Sequence, residues 1–76
     1  MNKIRRKSLQ ALMDQLEEIK GALEDLQSEE EDYRDNMPEN LWGSERYEKA
    51  EEAISNMEDA VSSLEEAIIS IESAAE

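Results

Sequence analysis

The side chains of this chain that could do chemistry are carboxylates and serines, and neither set is arranged to do it. A serine hydroxyl needs a neighbouring base to become a nucleophile, and the sequence contains no histidine. That absence also removes the commonest general base and the commonest metal ligand. With no cysteine there is no thiolate metal site and no disulfide framework. Carboxylate pairs abound, but they fall on the exposed faces of amphipathic patterns, where nothing pushes a pKa toward neutrality. The run Ser28-Glu29-Glu30-Glu31-Asp32 could hold a divalent cation loosely. It lacks the spacing and the glycine of a calcium loop, and a solvated charge run is the better reading. Gly21 has no glycine partners and no strand before it, so there is no phosphate loop. The expectation is a non-enzyme with no catalytic, cofactor or metal site.

Charge narrows the choice of partner. The formal net charge is -13, from 21 acidic against 8 basic residues. Lys3, Arg5, Arg6 and Lys7 supply half of the bases, so everything after them is overwhelmingly acidic. Extensive nucleic-acid binding is disfavoured because phosphates would be repelled. A basic groove on another protein would be attracted. The N-terminal cations could touch nucleic acid or anionic lipid, but pairing with an acidic helix end is favoured. No apolar run approaches the roughly 20 residues that span a bilayer, and no signal-peptide core follows the basic start. No membrane association and a cytoplasmic address are expected.

The elements that position these charges are legible from periodicity. Leu9, Leu12, Leu16, Ile19, Leu23, Leu26 and Tyr33 recur at alternating steps of three and four, with Glu30 the one polar intruder. Tyr47, Ala50, Ile54, Met57, Val61, Leu64, Ile68, Ile71 and Ala75 do the same. Both stretches read as amphipathic helices on a heptad, with these residues at positions a and d. Helix is predicted over about 3–34 and 44–75, with a loop over about 35–43 that holds the only proline. The predicted fold is all-α: an antiparallel two-helix hairpin of coiled-coil type, one domain over 1–76, dimerising into a four-helix bundle. One seam leaves core residues half exposed, and a homodimer could also cover Ile4, Ala11, Met13 and Ile69.

The flanks of the second helix are unusually regular. Position g is Ala53, Ala60, Ala67 and Ala74; position e is Glu51, Glu58, Glu65 and Glu72. Position e of the first helix is Arg6, Met13, Lys20, Gln27 and Arg34, none of them acidic. In an antiparallel pair e faces e, which predicts Arg6 near Glu72 and Lys20 near Glu58, setting register more than stability. The acidic run Glu29–Asp32 is expected beside Arg46 and Lys49. The alanine column is expected to pack closely inside the hairpin beside Ser8, Gln15, Ala22 and Glu29, or else to dock another chain. Met37, Leu41 and Trp42 are expected to fold over Tyr33 and Tyr47 as a cap, with Trp42 alternatively a partner anchor.

The loop Asn36-Met37-Pro38-Glu39-Asn40-Leu41 followed by Gly43-Ser44-Glu45-Arg46-Tyr47-Glu48 resembles that of a family of small acidic proteins of gut Firmicutes and their phages and mobile elements. The resemblance extends to the basic start and to the Leu64-Glu65-Glu66-Ala67-Ile68 tail, and so covers the whole chain. The family carries a polar residue, usually glutamine, where Trp42 stands here, so no role transfers to Trp42. The resemblance implies a mobile-element or commensal context and no catalytic activity. Three functions follow in order of preference. The first is a helical interaction or structural module that pairs with itself. The second is an acidic mimic of nucleic acid that occupies the groove of a host defence enzyme. The last is a regulator using its basic arm on DNA, which four cations on so acidic a body make a weak binder.

Overall fold

The computed structural model describes residues 1–76. Helix α1 spans Lys3–Asp35 and helix α2 spans Glu45–Ala74; a single 3₁₀ turn, Glu39–Leu41, lies between them. The helices pack antiparallel as a hairpin, giving a rod of 59 × 14 × 12 Å with no strand. No helix is long and apolar enough to cross a membrane.

Local chemistry sets the ends. Asn2 caps α1, its side-chain oxygen accepting from the Arg5 N–H at 2.8 Å. Ser44 caps α2 by accepting from the Tyr47 N–H at 3.3 Å, and Glu45 and Glu48 sit in the first turn, where the positive end of the helix dipole favours them. α1 stops because Pro38 disfavours helix at the residue before it. The chain then turns on two short bonds, Leu41 N–H to Pro38 C=O at 2.9 Å and Ser44 N–H to Leu41 C=O at 3.0 Å. Between them Gly43 adopts φ +85, a region that a β-carbon disfavours.

The core is thin. Met13, Met37, Ala50, Ile54 and Ile68 are the only buried residues. Along α2 the buried and half-buried positions are the expected a and d residues, from Tyr47 to Ala75, joined by Ala53 and Ala67 of position g. Along α1 they are not. The stripe that faces α2 is Leu9, Met13, Leu16, Lys20, Leu23, Gln27, Glu30 and Arg34, which is positions a and e. Leu12, Ile19, Leu26 and Tyr33, the d residues, are turned outward. α1 is rotated so that its e side chains lie toward the glutamate column of α2: Met13 is buried there, Lys20 reaches Glu65 and Gln27 reaches Glu58, and their methylenes cover the seam.

The register also differs from expectation. Lys20 Nζ lies 3.6 Å from Glu65 Oε1, not beside Glu58. Glu58 instead accepts from Gln27 Nε2 at 3.5 Å. Extending this register sets Met13 beside Glu72 in one crevice, and leaves Arg6 beyond the end of α2 with no ion pair. The shift is one heptad, so e still faces e. Its cause is the connection: Met37 is buried and the 3₁₀ turn needs room beneath it, so α2 starts more than a turn past the end of α1. At the opposite end residues 1–8 therefore overhang, and all eight are exposed.

Candidate interaction surface

The two sides of the hairpin differ in chemistry. On the e side, Lys20 bridges Glu65 and Glu17, and Gln27 donates to Glu58 and Glu31. Arg34 completes the row: its Nε donates to Asp35 at 3.1 Å, and that bond, reinforced by the charges of Asp35 and Glu51, raises its pKa above the ordinary arginine value. These are solvent-facing pairs worth a few tenths of a kcal/mol each. They align the helices more than they stabilise them.

The opposite side is apolar. Leu12 is 48 % exposed, Ile19 55 %, Leu26 56 % and Tyr33 46 %, one residue per heptad down α1. The alanine column of α2 borders the same side. At the loop end Tyr33 shares a groove with Arg46, which is position g one heptad before Ala53. Ala53 and Ala67 are half-buried, while Ala60 and Ala74 are exposed. The column does not pack closely inside the hairpin, and its expected neighbours Ser8, Gln15, Ala22 and Glu29 are exposed as well. The rotation that buried position e on α1 moved position g away from α2. Met13, expected to wait for a second hairpin, is already buried by α2; Ile69 lies on the polar side, in a crevice with Lys20 and Glu65.

The loop residues form a partial cap. Met37 is buried, and Trp42 Nε1 donates to its carbonyl at 3.1 Å. The indole stands 6.2 Å from the Tyr47 ring, tilted 35°. Trp42 is nonetheless 54 % exposed, and Leu41 and Tyr33 are exposed beside the groove that Glu30, Arg46 and Lys49 also line. The acidic run makes no ion pair with Arg46 or Lys49; Lys49 pairs with Glu45 on its own helix at 3.2 Å. Lys3, Arg5, Arg6 and Lys7 make no ion pair either, because the heptad shift carried them past the acidic end of α2.

No group of three or more carboxylates converges as metal ligands. The outward stripe on α1 is the feature that sequence reasoning misassigned to the core. Met13 is the one apolar residue at position e, and Lys20, Gln27 and Arg34 continue that column as polar residues, so periodicity alone does not reveal the rotation. No family model, curated protein or solved structure matches this chain.

Proposed function

We propose that this protein is a non-enzymatic structural and interaction module that pairs with a second copy of itself, acting in the cytoplasm. The observation that carries this is the four-residue outward stripe of Leu12, Ile19, Leu26 and Tyr33 bordered by alanines. Five buried residues make a small core for a chain of this size, and chains this short usually gain stability from assembly. The flat side of the hairpin offers roughly 900 Å², from helices ~45 Å long and ~10 Å wide. A stable complex buries about 800 Å² per partner. Light scattering at micromolar concentration should give a mass near twice 8.7 kDa. Ile19→Asp should return it to a monomer that keeps its helical circular dichroism. A wild-type monomer with a high melting temperature would sink the reading.

A second reading, mimicry of nucleic acid, draws support from charge density. A net charge of -13 along 59 Å is one charge per roughly 4.5 Å, and two copies side by side would halve that to about 2.3 Å, against about 1.7 Å in duplex DNA. The phage and mobile-element context implied by the loop fits this use. Capture of a host nuclease that is released by 1 M salt would support it, and no effect on any nucleic-acid-binding enzyme would remove it.

A further inference from the structure

We propose that the two copies lie antiparallel, α1 against α1 across a two-fold axis at Ile19, with the basic head of each seated on the acidic run of the other. This rests on the self-pairing reading above. The column that faces outward on α1 is longer than its apolar part: Arg5 precedes Leu12 by one heptad, so the series is Arg5, Leu12, Ile19, Leu26, Tyr33. Ile19 is its midpoint. Folding the column back on itself puts Leu12 on the second copy's Leu26 and Arg5 on the second copy's Tyr33. Glu29 and Glu30 lie one turn from Tyr33 on the same helix, within reach of the arginine.

Both charge clusters are free to do this. Neither the head, Lys3–Lys7, nor the run, Glu29–Asp32, forms an ion pair within the hairpin; of these residues' side chains only Glu31 is engaged, accepting from Gln27. The ends of the rod are also opposite in sign. The overhanging end, residues 1–9 with 72–76, holds four bases against two acids. The loop end, residues 29–49, holds eight acids against three bases. Antiparallel copies set each positive end on a negative one. Copies running the same way crowd both negative ends together, and like-charge juxtaposition is the costlier arrangement. That second arrangement would press the outward stripe onto the alanine column instead, so the choice between them is one of charge against side-chain volume. The whole apolar side is covered either way.

The absence of cysteine makes the test clean. Ser8→Cys, Glu29→Cys and Ala74→Cys each place one thiol at an exposed border of the apolar side. Oxidation of a mixture of the Ser8→Cys and Glu29→Cys chains should give the mixed disulfide dimer. Each of these two variants alone should give none, since its two thiols would stand roughly 30 Å apart. Cross-linking of Ser8→Cys to Ala74→Cys, or of Ser8→Cys to itself, overturns the orientation while leaving self-pairing intact. A mass of twice 8.7 kDa with no cross-link in any mixture places the interface elsewhere and also overturns it. A mass of 8.7 kDa at all concentrations removes the self-pairing reading on which this stands.

Discussion

Lys20 reaches Glu65 at 3.6 Å, which marks a register one heptad away from the pairing with Glu58. The contact is half in water, with the lysine side chain 22 % and the glutamate 50 % exposed, so its value is in alignment. A double-mutant cycle on Lys20→Ala and Glu65→Ala should give a coupling of about 0.2–0.5 kcal/mol. The same cycle on Lys20 and Glu58 should give a coupling indistinguishable from zero. Equal couplings would mean that the two registers interchange.

Buried and outward residues of the same type should separate in their effects. Ile54 is 5 % exposed in the seam, and Ile54→Ala should cost about 2–4 kcal/mol, a large share of the stability of a small domain. Leu26 is turned outward, and Leu26→Ala should leave the fold of a dilute monomer nearly unchanged while weakening association. Chemical denaturation followed by circular dichroism at two protein concentrations distinguishes the two. If Leu26→Ala unfolds the monomer as Ile54→Ala does, the rotation of α1 is wrong.

How much of this was visible beforehand depends on the residue. The helices and their antiparallel packing follow from strict three-four spacing, and the N-cap at Ser44 from its side chain and the acids after it. The rotation of α1 was not legible, because a heptad pattern says which residues are apolar and not how many neighbours will come to cover them. Leu12 and Ile19 look like core in any count of periodicity. The register was not legible either: Glu51, Glu58, Glu65 and Glu72 repeat identically, so Lys20 has chemically equivalent partners one heptad apart. The length consumed by Met37 and the 3₁₀ turn decided between them, and that is a property of loop geometry rather than of composition.

The two glycines should respond in opposite directions to the same substitution. A methyl at Gly21 meets nothing within 4 Å in mid-helix, so Gly21→Ala should stabilise by about 0.5–1 kcal/mol. Gly43 also has open space, but its φ of +85 opposes a β-carbon, so Gly43→Ala should destabilise by more than Gly21→Ala gains. Melting temperatures should move up for the first and down for the second, by roughly 4–8 °C per kcal/mol.

Trp42 offers a readout of the loop. Its indole N–H is held by the Met37 carbonyl, and Trp42→Phe removes that bond at a cost of about 0.5–1.5 kcal/mol. Because it is the only tryptophan, fluorescence reports this end alone. Its transition should coincide with that of the helices if Met37 and the first turn of α2 melt together. An earlier fluorescence change would show the cap opening by itself.

Ser44 and Asn2 make the same kind of cap at helices with different support. Ser44→Ala should lower global stability by about 1 kcal/mol, since α2 is packed from its first turn. Asn2→Ala should not move the main transition of a dilute monomer, because within one hairpin residues 3–8 are exposed.

Residues 3–8 have only their own backbone bonds and the Asn2 cap to keep them helical, and a stretch that short is marginal in water on its own. Warming a dilute sample should therefore erode ellipticity gradually before any cooperative step. Amide protons near Arg6 should exchange long before those near Ile54. A protease that cuts after lysine or arginine would find its first accessible bonds there. Nicking at that end should slow once copies come together, so the rate of trimming becomes a clock for assembly.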